Sequence, residues 1–356
     1  MQVFAHIGIP KTLTTSLQKD FFAQHPEIAY LGVGADGGIG YADEELERIF
    51  EHLLLYGRSE IFERESQEAR KKIEAEMAEA RRAGKAAFGV SLEWLSFRFS
   101  ADMSDTRRSA HRLRTLLGPD TNILFTLRRQ DTLLHSLYNE YVKDGLPLSW
   151  KDFLSYIYKF RERNFFLDLC YDELYESYAQ AFGPERIEVA FLEEYLEASG
   201  ALRRRNGREA IVADLSRSLG IAQHDTPLAH HNPSLPREAL AEKLRLNREL
   251  RHDFGNLLFE HASLHRQSAA HARDRTLLDI DVYGDVRRKR MLIAEADARS
   301  RARLPDTDEV RPDPDDPVYG WLLERFREAN LRLSRRIGRS LPEGYYFPEN
   351  GAPAFS

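Results

Sequence analysis

The 356-residue chain is poor in several things a reader first looks for, and each shortage closes a class of explanation. It has one cysteine, Cys170, which rules out an internal disulfide and any cysteine-built zinc cage and suits a reducing compartment; its expected use is core packing. No apolar run approaches the roughly 20 residues of a membrane span. The opening Met1-Gln-Val-Phe-Ala-His6 lacks the basic start and long apolar stretch of a secretory leader, so a soluble, cytoplasmic protein without a transmembrane segment is expected. Positive charge is not in excess: 51 Lys and Arg stand against 57 Asp and Glu, a formal net charge of −6. A general nucleic-acid binder is usually basic, so no nucleic-acid partner is expected and any anion site must be local. No internal repeat is evident, and no Gly-x-x-x-x-Gly-Lys-Ser/Thr nucleotide loop occurs.

What is present begins at the amino terminus. An apolar, strand-like run from Val3 to Ile9 breaks into Pro10-Lys11-Thr12-Leu13-Thr14-Thr15-Ser16 and resumes with helical periodicity. A strand that turns into a helix leaves the first helical N–H groups without intrahelical acceptors, here beside a lysine and four hydroxyls, a setting suited to an anion. The structural alternative is a capped helix start on a surface loop. A second motif lies downstream. Asn122-Ile-Leu-Phe-Thr-Leu127 reads as a buried strand and runs into Arg128, Arg129 and a helical pattern through Ser136 and Tyr141. Arginine's planar fork suits phosphate, and a serine about two helical turns on can lean toward the same oxygens.

Apolar runs at Val3 to Ile7, Ile28 to Leu31, Ala86 to Val90, Ile123 to Leu127 and Ile187 to Leu192 alternate with helical patterns. The expected fold is α/β: a P-loop-like three-layer arrangement with a central, mainly parallel sheet flanked by helices, and with helical insertions. Ligands in such sheets sit beyond the carboxyl ends of the strands, where both motifs begin. Two segments read as additions to one domain spanning 1–356. In 43–85, Leu46, Ile49, Phe50, Leu53, Ile73 and Met77 mark amphipathic helices. The second, 263–317, is charged and ends in an acidic, proline-interrupted stretch, Pro305 to Asp316; it is expected to be a mobile excursion or lid. Its prolines and missing loop glycine spoil calcium-ligand spacing.

The order Pro10-Lys11-Thr12, then Thr14-Thr15-Ser16-Leu-Gln18, resembles the 5′-phosphosulfate loop of sulfotransferases that use 3′-phosphoadenosine 5′-phosphosulfate. Arg128 and Ser136, eight positions apart, match the pair that holds the 3′-phosphate in that family. Ser136-Leu-Tyr-Asn-Glu-Tyr141, Tyr171-Asp-Glu-Leu174, Phe182 to Val189, and the run from Leu322 to Ile337 followed by Gly344-Tyr-Tyr-Phe347 also look like a bacterial sulfotransferase. The resemblance implies a donor loop of Lys11, Thr12, Leu13, Thr14, Thr15 and Ser16, a desulfated bisphosphate product, no metal requirement, and a hydroxyl acceptor on a saccharide or small metabolite. Asn232 and Ser234 match a stretch that approaches donor or acceptor.

The family usually has glycine where this chain has Leu13. If the position needs positive φ, leucine costs about 1–2 kcal/mol; if it is helical, leucine is tolerated. Sulfuryl transfer needs a base and a cation at the leaving oxygen. Lys11 fits the cation role. Glu93, leaving the end of a strand in Phe88-Gly-Val-Ser-Leu-Glu93, and His6, in the first strand, compete as base. The alternative readings are a first-turn helix carboxylate for Glu93 and a core histidine for His6. Trp94, Phe97 and Phe99 serve either an acceptor wall or the core. His224, His230 and His231 lack ligand-like spacing, so no metal is expected there. Two other readings stand beside transfer: a non-catalytic nucleotide-binding module of the same fold, and a nucleotide-dependent kinase.

Overall fold

The computed structural model describes residues 1–32, 40–98, 104–224, 227–229, 234–249, 282–302 and 305–347. Five strands form one sheet: β1 Gln2–His6, β2 Ile28–Tyr30, β3 Ala87–Ser91, β4 Asn122–Leu127 and β5 Ile187–Phe191. All pair in parallel, in the order β2-β3-β1-β4-β5. Each lies within one residue of the run expected for it. The agreement has a physical reason: a parallel strand is buried on both faces and so reads as an apolar run, as in β3, where every residue is buried. β1 is central. The chain leaves it toward β2 and β3 on one side and β4 and β5 on the other, so the strand order reverses at its carboxyl end.

Alternate residues of β4 face opposite layers. Leu124 joins Phe4, Leu17, Phe21, Phe22, Ile211 and Leu215 in one core, whereas the Phe125 ring meets the edge of Tyr178 at 5.4 Å. The first layer contains α1 Thr14–Ser16, which runs on as π-helical turns Leu17–Phe22. Phe22 anchors it, its ring 5.3 Å from both Phe4 and His6.

The chain divides into two compact units. The first comprises Met1–Arg129, Leu167–Asn232 and Phe326–Tyr346, and holds the whole sheet. Within it, α2 Glu44–Glu47, π-helical turns Arg48–Tyr56 and α3 Ser59–Arg82 occupy the 43–85 segment. Asp43 caps α2 by accepting from the Leu46 N–H at 2.8 Å. The six apolar residues that mark this segment are all buried. α4 Thr106–Leu117 follows before β4.

The second unit comprises Gln130–Phe166, Pro233–Arg325 and Phe347–Ser356. Its described secondary structure is helical: α5 Gln130–Lys143, α6 Trp150–Lys159, a helix Arg237–Glu249, a helix Val282–Ala302 and the first part of the helix Pro317–Ile337. Trp150 is its aromatic hub, 5.4 Å from Tyr138 and 6.0 Å from Tyr319. Asn247 donates to the carbonyls of Val142 and Leu146, both at 2.8 Å, binding Arg237–Glu249 to the end of α5. The acidic stretch before Pro317 acts as a cap: the Asp316 carboxylate accepts from the Val318 and Tyr319 N–H groups. Residues 263–281 of the charged segment lie outside the described residues. No described helix is long and apolar enough to cross a membrane.

Candidate functional site

The turn after β1 is built on backbone that side chains disfavour. The ladder to β4 continues past His6, with Ile7 N–H donating to Leu124 O and Ile9 N–H to Thr126 O, both at 2.9 Å. The chain then bends through two left-handed residues, Lys11 at φ 67° and Leu13 at φ 64°. Leu13 therefore occupies the conformation for which glycine is the natural residue. Each of the two side chains costs about 1–2 kcal/mol there. The strain is local, and the surrounding bonds hold it.

Burial alternates through the turn. Lys11, Leu13 and Thr15 keep part of their surface, while Thr12, Thr14 and Ser16 are buried. The Thr12 hydroxyl donates to Ile9 O at 2.6 Å and meets Thr126 Oγ1 at 2.9 Å. Thr14 donates to the Glu93 carboxylate, and Ser16 to the carbonyl of Ala229. Three hydroxyls of the expected donor loop thus brace the turn. Lys11, Thr15 and the backbone at the start of α1, which has no side-chain cap, form its outward part. Gly8 makes room for this: a Cβ there would lie 2.3 Å from Thr126 Oγ1 and 2.6 Å from Thr14 Cγ2.

Glu93 opens the short helical turn Glu93–Leu95 that follows β3. Ser96 ties this turn to the first strand's extension, donating to the carbonyls of Glu93 at 2.8 Å and Gly8 at 3.0 Å. Tyr178 OH donates to Leu95 O at 2.7 Å. Beyond it, Arg98 donates from its backbone N–H, at 2.9 Å, and from its Nε, at 3.1 Å, to the buried carboxylate of Asp168. Burial raises the Asp168 pKa to about 6, although Arg98 pulls it down. Trp94, half-buried, meets Tyr56 edge-on at 6.4 Å. Phe97 is fully buried and belongs to the core.

Arg128 follows β4 directly, and its guanidinium donates to the Lys11 carbonyl at 3.2 Å. Tyr171, at the start of α7 Tyr171–Phe182, fixes the same point by donating to Arg128 O at 2.6 Å. The next residue, Arg129, donates from its backbone to Glu193, whose other carboxylate oxygen accepts from Tyr345 OH at 2.6 Å.

His6 is fully buried. Its Nδ1 lies 2.7 Å from Ser91 Oγ and its Nε2 3.0 Å from Thr126 Oγ1. Register explains both contacts: Ser91 is its partner in β3, and Thr126 lies two residues beyond its partner in β4, on the same face. Burial lowers its pKa to about 3, so the ring is neutral at ordinary pH. Gln18 extends the polar belt, donating to Ser91 O at 3.0 Å and to Ser91 Oγ at 3.2 Å.

Lys11, Thr14, Glu93 and Arg128 therefore meet at the carboxyl ends of three neighbouring strands. Ser136 is a buried residue of α5, in the second unit. Ser234 is exposed in that unit. Asn232, Phe99, His230 and His231 lie outside the described residues. Cys170 is buried at the start of α7, and burial raises its thiol pKa. Among the described residues no group of three or more His, Cys, Asp or Glu is placed to hold a metal ion. Sequence reasoning passed over Ser91, Thr126 and Asp168. The first two carried a readable signal, a small hydroxyl residue inside an otherwise apolar strand.

No family model matches the chain, and no curated protein matches it. Among solved structures it is similar to the sulfotransferase from Alicyclobacillus acidocaldarius, at 19% identity over 71% of this chain and 95% of that one, with a TM-score of 0.41.

Proposed function

We propose that the protein is a sulfotransferase that moves the sulfuryl group of 3′-phosphoadenosine 5′-phosphosulfate to a hydroxyl on a saccharide or small metabolite. One observation carries the reading: a lysine in a strained strand-to-helix turn, an arginine held on that lysine's carbonyl, and a carboxylate held on the turn's threonine. The motifs that resemble the donor loop and the 3′-phosphate arginine thus lie together, at the switch point where such sheets bind ligands.

The chemistry follows from these groups. Glu93 takes the acceptor's proton as the hydroxyl oxygen bonds to sulfur. The bond from sulfur to the bridging phosphate oxygen breaks, and that oxygen leaves with the electron pair, as the bisphosphate. Lys11 stabilises the charge that grows on it. Arg128 suits the 3′-phosphate by its planar fork. His6, neutral and engaged at both nitrogens, is poorly placed to compete as base.

Calorimetric titration with 3′,5′-adenosine bisphosphate, beside 5′-AMP and ATP with magnesium, tests the donor. Binding selective for the bisphosphate is expected. Preference for ATP would favour a kinase, and binding without any transfer to a panel of hydroxyl acceptors would favour a non-catalytic module. In the transfer assay, Lys11→Ala should lower kcat by about 10²–10³-fold and Glu93→Gln by about 10²-fold or more. Wild-type rates in either variant would remove that residue from the mechanism.

A further inference from the structure

With each hydroxyl giving its proton to a single acceptor, the hydrogen bonds beneath the turn have only one direction that makes every contact. A carbonyl cannot donate, so the Thr12 proton goes to Ile9 O. The 2.9 Å contact between Thr12 and Thr126 then needs the Thr126 proton. With its proton spent, Thr126 Oγ1 can only accept from His6, 3.0 Å away. His6 must therefore carry its proton on Nε2, leaving Nδ1 as an acceptor for Ser91 O–H at 2.7 Å. Ser91 Oγ in turn accepts from Gln18. Every proton in the run is used once, from the helix after the turn, through β3, β1 and β4, and back to the turn itself.

Its two ends meet the parts that matter to the proposed reaction. Ser91 stands two residues before Glu93. Thr12 stands between the two left-handed residues, Lys11 and Leu13, with its side chain fully buried. Gly8 shows how little slack there is, since a Cβ there would lie 3.0 Å from Thr12 Oγ1 as well as against Thr126 and Thr14.

We infer that His6 is a positioning residue, locked as its Nε2–H tautomer, and that the one-way run through Thr126 and Thr12 holds the Lys11–Leu13 turn in the shape that receives the donor's phosphosulfate. The first half stands on geometry; the second rests on the sulfotransferase reading. His6 acts through the turn and does not touch the reacting atoms. Burial, which keeps the ring neutral, is consistent with this use.

Nitrogen-15 NMR of histidine-labelled full-length protein at pH 7 tests the tautomer, with the His6 signals assigned by their loss in His6→Gln. Protonated Nε2 and bare Nδ1 are expected; the Nδ1–H tautomer or an imidazolium overturns the proposal. Thr12→Val and Thr12→Ser test the relay, with bisphosphate affinity as the readout. Valine keeps the shape and deletes the last link, so affinity should fall about tenfold or more, whereas serine should stay within about threefold. Equal affinities for the two variants overturn the relay. In the transfer assay, His6→Gln should raise KM for the donor while the acidic limb of the kcat pH profile stays in place; loss of that limb would make His6 the base and overturn its positioning role. Failure of the wild type to bind the bisphosphate would sink the donor reading, while the tautomer measurement would still decide the geometry.

Discussion

Leu13 shows how much a single backbone angle decides. Its side chain offers the site no polar atom, yet the residue sits at φ 64°, where the turn asks for glycine and where Lys11 two positions earlier is equally left-handed. The residue type alone could not tell which of two costs applied, because leucine is an ordinary helix former and the helix starts at the next residue. A β-branched residue tolerates this region worst, since its second γ-carbon crowds the backbone. Leu13→Val should therefore lose about 1–2 kcal/mol in urea unfolding. Leu13→Gly should change stability by less than about 1 kcal/mol, because relief of the strain is offset by the greater freedom of glycine in the unfolded chain. Equal stability of the valine variant and the wild type would mean that the turn does not keep this conformation in solution. Gly8 makes a companion case: Gly8→Ala should cost about 1–3 kcal/mol, as the added methyl meets Thr126 and Thr14 at separations that real side chains do not adopt.

At the scale of elements, the segment after β3 is positioned from far along the chain. Arg98, five residues beyond Glu93, is fixed by Asp168, seventy residues later. The Asp168 pKa is raised to about 6 by burial, and the sign of its effect follows. A carboxyl that binds its proton more tightly in the folded state gives stability that is present at low pH and lost as pH rises from the ordinary carboxylate range to about 6. The difference in unfolding free energy between wild type and Asp168→Asn should accordingly fall between pH 4 and 6 and be flat from 7 to 8. A flat difference throughout would show that Asp168 titrates as if exposed. Asp168→Asn should also loosen the Glu93 turn, read as faster amide exchange at Arg98. No local pattern announces such a lock. Parallel strands were legible because burial on both faces leaves an apolar run, and the strand-to-helix turn was legible because Pro10-Lys11-Thr12 interrupts the apolar run just before the helical pattern resumes. The inward aim of Thr12, Thr14 and Ser16 was not, because helix and turn geometry choose a side chain's direction only after the strand register is set. The meeting of Glu93 with Thr14 could be anticipated from strand ends, but not its partner atom. The placement of Arg128 and Ser136 in different units was hidden by their short separation in sequence.

For the whole molecule, the centre of the sheet carries its own acid sensitivity. His6 lies on β1, the strand with neighbours on both sides that tie to it through side chains, Ser91 in β3 and Thr126 in β4. Its pKa is lowered from 6.5 to about 3 by burial. A base with a depressed folded pKa supplies stability that is complete above its unfolded value and is lost as pH falls below it, because the unfolded chain takes up the proton and the folded one does not. At pH 5 the loss from this residue should be about 2 kcal/mol. Asp168 works in the opposite sense over part of the same range, so the wild-type curve alone would mix the two. Subtraction separates them. The stability of wild type minus that of His6→Gln should decline from pH 6.5 toward pH 4, whereas the corresponding difference for Asp168→Asn should rise over the lower part of that interval. Urea unfolding of the three proteins at half-unit pH steps measures both slopes. A His6 difference that stays level below pH 6.5 would mean that the ring reaches solvent or accepts a proton in place, and the one-way hydrogen-bond run through Thr126 to the strained turn would then not describe the folded protein.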